Sequence, residues 1–287
     1  MSDHRPYRTL TKVLFAAQAP RAVILRRGPR NRYCLIAWNT DTDTFSPGQW
    51  MKGNVRLTDL SPRGDKLLYF AEQFTVRPRP HPVPGPYDPL RARAARPRSR
   101  ALVRPGRKVP RYLRASLPDR AGIASPRPIM GSWTAVSTPP YFSALAIWPS
   151  IGRWTGGGTF RHELDILLRE HSCGLVPIRN VPMPATVKVR RWLSAADARH
   201  SAYAPSVTET EQHARVAAVL LDAGLKWVDW IDLRHRDMLF AGDGRIFRLR
   251  NWQAVAEASY LAAAQPLADL RDMAFNLLPA PASAMRW

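Results

Sequence analysis

Short apolar runs separated by turn residues form the main pattern along this chain. Several runs are compact or alternate between apolar and polar positions, and these predict β-strands. They lie at residues 33–38, 66–70, 132–136, 144–148 and 188–192. In the clearest unit, two β-rich runs at 237–241 and 245–250 flank Gly242, Asp243 and Gly244. A glycine-containing loop between such runs predicts a β-hairpin.

Two stretches break this pattern and predict helices. Residues 160–172 place Leu164, Leu167 and Leu168 at helical spacing. Residues 208–223 begin with the capping-box spacing of Thr208 and Glu211 and are followed by Gly224. The expected fold class is therefore mainly β with helical insertions, and α+β is the alternative.

One pattern occurs twice and resembles a known repeat. Residues 55–69 read VRLTDLSPRGDKLLY, with an Asp-x-Ser-Pro-x-Gly turn before an apolar strand, and residues 228–247 read VDWIDLRHRDMLFAGDGRIF. About residues 55–74 and 228–249 resemble blades of TolB-like and WD40-like β-propellers. The resemblance implies four-stranded meanders in an irregular or incomplete propeller-like arrangement. An unrelated β-meander is the alternative.

Charge and proline divide the chain into three parts. The formal net charge is +21, from 43 basic and 22 acidic residues. Residues 77–128 alone hold 14 basic residues, two acids and 12 of the 27 prolines. This composition predicts an extended arm or linker without a core of its own. It separates a β-rich part at 1–76 from a second β-rich part at 129–287.

The basic arm is the first candidate site. Spaced guanidinium groups bind phosphates without sequence preference, so the arm is expected to contact nucleic acid or another polyanion. A solvated insertion, enriched in arginine by codon bias, is the alternative. The expected contacts are Arg91, Arg93, Arg96, Arg98, Arg100, Arg104, Arg107, Lys108, Arg111 and Arg114.

A glycine loop before the first predicted helix is the second candidate site. Backbone N–H groups at a helix N-terminus can hold an anion. The expected anion loop comprises Arg153, Gly156, Gly157, Gly158 and Arg161. The alternative is that the same glycines provide a flexible connection or allow close packing of the backbone.

Other chemistry is not expected from the sequence. His162 and Glu163 lack a second histidine at position 166, which is Ile166, so the zinc-protease pattern fails. Asp229, Asp232, Asp237 and Asp243 are assigned to turns and inter-strand hydrogen bonds, although a catalytic pair is conceivable. We predict no catalytic residues, no metal site, no cofactor and no transmembrane segment.

The sequence thus favours a non-enzymatic β-rich binding or scaffold protein. It would recognise a protein partner through the fold, while the arm contacts a polyanion or is ordered within an assembly. Two alternatives remain: a nucleic-acid-binding protein that works mainly through the arm, and a hydrolase or phosphate-binding enzyme that uses the 156–158 loop. The two cysteines, without a disulfide pattern, predict a cytoplasmic location.

Overall fold

The computed structural model of the chain describes residues 8–72, 132–150, 156–169, 177, 181–191, 210–234 and 236–287. The predicted basic arm at 77–128 lies outside these residues. The described part is mainly β, as predicted, and its strands form four separate sheets, none of which closes into a barrel.

Three of the sheets are antiparallel meanders of four strands taken in chain order. Sheet A contains β1 (Leu10–Phe15), β2 (Arg21–Gly28), β3 (Arg32–Asn39) and β4 (Thr44–Lys52). Sheet B contains β5 (Asn54–Leu60), β6 (Leu67–Glu72), β7 (Ser132–Ser137) and β8 (Ala144–Ser150). Sheet D contains β12 (Val228–Leu233), β13 (Asp237–Gly242), β14 (Arg245–Arg250) and β15 (Gln265–Asp269).

Sheet C is smaller and mixed. It contains β9 (Gly158–His162), β10 (Asp165–Leu168) and β11 (Lys188–Arg191). The central strand β10 pairs antiparallel with β9 and parallel with β11.

The predicted hairpin at 237–250 is confirmed. Gly242 pairs with Arg245, so Asp243 and Gly244 form a two-residue turn between β13 and β14. Both residues have positive φ, 51° and 73°, which is the geometry that matches the twist of the flanking strands. The Asp-Gly pair adopts it at low cost because both residue types tolerate left-handed backbone.

The helix predicted at 160–172 is wrong for the residues that the structure describes. They form β9, a turn at Glu163 and Leu164, and β10. Phe160, Ile166 and Leu168 pack into a cluster with sheet B. Ile166 and Leu168 are two residues apart, which is the spacing that places both side chains on one face of a strand. Burial of that face against the neighbouring sheet therefore outweighs local helix propensity.

The helix predicted at 208–223 is confirmed as α1 (Glu211–Asp222), with a different cap. Thr210 is the N-cap, and its hydroxyl accepts a hydrogen bond from the backbone N–H of His213. Gly224, with φ +113°, follows the helix end. A second helix, α2 (Tyr260–Ala263), is only one turn long.

Alternating side chains stack the sheets face to face. On β2, Val23 and Leu25 contact the cluster shared with sheet B, whereas Ala22 and Ile24 contact the cluster shared with sheet D. Sheet A is thus buried on both faces. Sheet B packs on sheet C through its other face, and α1 covers the outer face of sheet D. The layers follow the order α1, D, A, B, C.

Two buried aspartates join first strands of neighbouring sheets. Oδ2 of Asp59 on β5 accepts hydrogen bonds from the Thr159 hydroxyl at 2.5 Å and the Phe160 N–H at 2.6 Å on β9. Oδ2 of Asp229 on β12 accepts from the N–H and the hydroxyl of Thr11 on β1, both at 2.9 Å. Charge-assisted bonds of this kind are stronger than neutral ones.

The turns after the first strands lie at one end of the stack, which we call the turn end. The N–H of Gln18 donates to the Pro62 carbonyl at 2.8 Å, which joins the turns of sheets A and B. The Ser61 hydroxyl donates to Glu163 Oε1 at 2.8 Å, which joins the turns of sheets B and C. In sheet D, the Arg234 guanidinium lies 4.4 Å from the Phe15 ring centroid at the end of β1.

The last residues of the chain run back across the sheets. Arg26 donates to the carbonyls of Leu270 and Arg271, both at 2.8 Å. Gln49 donates to the Leu278 carbonyl at 3.0 Å, and Trp287 packs against the cluster between sheets B and C. We call residues 270–287 the C-terminal strap.

Candidate polyanion interface

The basic arm is inserted in a hairpin of sheet B. Strand β6 ends at Glu72 and β7 begins at Ser132, and these two residues are paired in antiparallel register. The chain therefore leaves and re-enters the sheet on adjacent strands, about 5 Å apart. The ten predicted contact residues of the arm, from Arg91 to Arg114, lie outside the described residues.

The glycine loop lies at the same end of sheet B as the root of the arm. The N–H of Gly157 donates to the Thr134 hydroxyl at 2.7 Å, and Thr134 is two residues after Ser132. Arg56 Nη2 donates to the Gly156 carbonyl at 2.8 Å. The fold thus brings together two candidate sites that are well separated in the sequence.

Close packing explains the glycines themselves. A Cβ at Gly156 would lie 2.4 Å from both Phe70 and Ser150, and Gly157 has φ +110°. The loop leads into strand β9, so the helix N-terminus expected after it is absent. Since its N–H is already bonded to Thr134, Gly157 serves the packing of sheets B and C.

The arginines predicted to flank the loop are not shown beside it. Arg153 lies outside the described residues. Arg161 is exposed on β9, four residues beyond Gly157 and hence about 13 Å along the strand. The guanidinium that contacts the loop is that of Arg56, whose Cζ also lies 5.5 Å from the Phe70 ring centroid. Sequence reasoning missed Arg56 because 100 residues separate it from Gly156.

Apart from the buried Glu72, the acids of sheets A and B lie at one end of the strands, whereas basic residues lie at both ends. The end opposite the turn end carries Arg27, Arg30, Arg32, Lys52 and Arg56 on these sheets. The acid that these two sheets place there is Glu72, which is 1% exposed. The turn end carries both signs of charge, since Asp41, Asp43 and Asp65 lie there together with Arg21, Arg63 and Lys66. We call the opposite end the basic end, and the arm is rooted there.

The four carboxylates at 229–243 do not meet in a cleft. Asp243 lies in the β13–β14 turn and accepts hydrogen bonds from the N–H groups of Lys226 and Trp227, which directly precede β12. Asp232 pairs with Arg234 at 2.7 Å, and Asp237 lies 3.5 Å from Arg248. Asp229 is the buried residue described above. The contacts are those of turns and inter-strand bonds, as predicted.

Burial shifts the pKa of two groups that could otherwise appear reactive. Desolvation raises the pKa of Asp229, and the hydrogen bonds from Thr11 and the charge of Arg8 oppose that shift. Burial also raises the pKa of the Cys34 thiol to about 11, so the thiol stays protonated near neutral pH. Both groups are thus buried, and burial favours the uncharged form of each.

Within the described ranges, no group of three His, Cys, Asp or Glu side chains is arranged as metal ligands. None of the helices among those residues is long and apolar enough to cross a membrane.

Comparison of the chain with protein-family models, with curated proteins and with solved structures finds no match to any of them.

Proposed function

We propose that this protein is a non-enzymatic binding scaffold, in which stacked sheets present a basic arm to a polyanion. The observation that carries the proposal is the pairing of Glu72 with Ser132, which roots the arm in a buried hairpin. A segment with 14 basic residues and two acids at 77–128 therefore starts from a fixed position on the basic end. Fixed anchorage lowers the entropy lost when the polyanion binds.

The sheets are the part of the scaffold that we propose to recognise a protein partner. Sheet A is buried on both faces, and the C-terminal strap contacts Gln49 and Trp50 of its edge strand β4. The strand ends and the exposed Ser46 and Pro47 of β4 are left for contacts. We further propose that the four sheets are blades of an incomplete propeller. This is supported by the contacts of β1 with β12, of β1 with β5 and of β5 with β9. These are contacts between the first strands of neighbouring sheets, as expected when blades are arranged side by side. The cytoplasmic location remains a prediction from the sequence.

Removal of the arm tests its role. Residues 73–131 are replaced by Asn-Gly, which can close an antiparallel two-residue turn between Glu72 and Ser132. We expect the folded sheets to survive, as shown by circular dichroism and thermal unfolding. Retention on heparin and on labelled oligonucleotides should fall strongly. For six to ten phosphate contacts, affinity of the whole chain should drop about 10³- to 10⁵-fold between 50 and 200 mM salt.

A second variant separates charge from chain length. It keeps the full arm and changes the ten predicted contacts, from Arg91 to Arg114, to Gln. If charge carries the binding, this variant should lose affinity as the shortened one does. Unchanged retention of both variants would overturn the proposal.

A further inference from the structure

We infer that the basic end carries a folded platform for single-stranded nucleic acid, built from Arg30, Arg32, Lys52 and Phe275. The inference rests on the proposed polyanion function and assigns it a ligand class and a second contact surface. It differs from the arm, because all four residues belong to the described fold.

Arg30 is held at the tip of the β2–β3 turn in a backbone conformation that arginine seldom adopts. Its φ is 57° and that of Asn31 is 53°. The turn is fixed, since the Gly53 N–H donates to the Asn31 carbonyl at 3.0 Å and Arg27 Nη2 donates to the Asn31 side chain at 3.0 Å. The exposed Arg30 side chain is therefore presented on a rigid turn.

Arg32 and Lys52 extend this charge across two strands. They are direct partners in the register of β3 and β4. Lys52 is exposed and two residues before Asn54, which pairs with Glu72 at the root of the arm. A polyanion held by the arm thus lies close to these side chains.

An aromatic ring is placed among these charges. The Arg32 guanidinium lies 4.6 Å from the ring centroid of Phe275, and this ring lies 5.7 Å from that of Trp50. Phe275 is 42% exposed, although it is a large apolar side chain. Arg26 and Gln49 anchor the strap on either side of it, at residues 270–271 and 278. The ring is therefore a fixed, accessible surface.

An exposed ring beside guanidinium groups favours a single strand over other polyanions. Unpaired bases stack on aromatic side chains, while nearby cations follow the phosphate backbone. A duplex keeps its base faces inside the helix, and a lipid headgroup or an acidic peptide has no base to stack. The combination of Phe275 with Arg32 thus points to unpaired bases.

The test measures binding of a labelled dT20 strand, a duplex of equal length and anionic vesicles. It uses both the full chain and the variant that lacks residues 73–131. In each background, Phe275→Leu keeps apolar contact with Trp50 but removes the stacking surface. We expect it to weaken dT20 binding about ten-fold, to leave duplex binding unchanged, and to be rescued by Phe275→Tyr.

Charge variants provide the second readout. The change of Arg30, Arg32 and Lys52 to Gln should lower the salt slope for dT20 by about two, since each contact contributes about 0.7. The change of Arg63, Lys188 and Arg250 to Gln is the matched control, because it also removes three charges and these side chains are exposed at the turn end of sheets B, C and D. This control should leave the slope unchanged. Circular dichroism verifies that each variant is folded.

Three results would overturn the platform. The first is that the control charge variant lowers the salt slope as much as the test charge variant does. The second is that dT20 and the duplex bind equally well and Phe275→Leu changes neither affinity. The third is that the protein binds vesicles more tightly than dT20. If the full chain binds polyanions but the platform variants change nothing in either background, the platform is wrong and the arm alone suffices. If the full chain binds none of the three probes, the proposed function itself fails.

Discussion

The two blade-like segments use the same sequence pattern in different ways. Asp59 and Asp232 occupy matching positions, four residues after Val55 and Val228. Asp59 is 2% exposed and bonds to Thr159 and Phe160 of the next sheet. Asp232 instead forms a surface ion pair with Arg234. A shared pattern therefore predicts a shared hairpin, whereas the neighbouring sheet determines what the carboxylate does.

In sheet D another residue takes over the role of joining the sheets. Asp229, three positions before Asp232, bonds to Thr11 of sheet A. In both cases the partner is a threonine hydroxyl together with a backbone N–H on a first strand. The buried link between sheets is thus repeated in the structure without being repeated in the motif.

Loss of the Asp59 carboxylate should have the largest effect. In Asp59→Ala, the Thr159 hydroxyl and the Phe160 N–H lose their buried acceptor, and each unsatisfied group is costly. We expect the free energy of unfolding to fall by about 3 kcal/mol, measured by urea denaturation. Asp232→Ala is the matched control and should cost less than about 1 kcal/mol. Equal losses would show that the two aspartates are equivalent.

The turn glycine of the first segment should have an intermediate effect. Gly64 has φ +76°, and an added Cβ would lie 2.9 Å from Arg21 Cβ and 3.2 Å from Ala16 Cβ in sheet A. We expect Gly64→Ala to lower the free energy of unfolding by about 2 kcal/mol.

Gly224 provides the control for Gly64. It has φ +113° but nothing within 4 Å of an added Cβ. Gly224→Ala should therefore cost about 1 kcal/mol, from backbone strain alone. A larger loss at Gly224 than at Gly64 would contradict the contact between the turns of sheets A and B.

Asp229 should show the smallest effect, and one that depends on pH. Because burial raises its pKa in the folded state, the folded protein binds this proton more tightly than the unfolded chain. Stability from this group is present below the ordinary pKa of 3.8 and is lost as pH rises through the raised folded value. The Asp229→Asn variant lacks this titration.

Denaturation of the wild type and of Asp229→Asn across acidic to neutral pH measures the difference. The stability advantage of the wild type should shrink as pH rises above about 3.8 and then stay constant. An advantage that grows over this range would mean that the hydrogen bonds from Thr11 and the charge of Arg8 outweigh desolvation.

Local patterns were sufficient wherever one segment decides its own structure. The hairpin at 237–250 follows from alternating apolar residues around Asp243 and Gly244, and α1 follows from its apolar stripe and Gly224. The stripe at 160–172 was misleading because Leu164, Leu167 and Leu168 fit helical spacing, while Ile166 and Leu168 fit a strand. Packing of sheet C on sheet B selected the strand.

The candidate interface could be predicted only in part. The arm is visible as a local excess of arginine and proline, because composition alone defines it. The hydrogen bond between Arg56 and Gly156 and the contact between Arg32 and Phe275 join residues 100 and more positions apart. No spacing rule predicts such contacts, since they depend on which strands become neighbours.

The sequence by itself determined the strand-rich character of this protein, its two clearest local units and the concentration of charge at 77–128. These properties depend on side chains close together in the chain, whose periodicity and charge act over a few residues. Only the tertiary structure decided the order of the layers, the strands at 158–168, the different roles of Asp59 and Asp232, and the position of the arm's root beside the glycine loop. Each of these depends on burial between sheets that are distant in the chain, and burial supplies most of the free energy that selects a fold.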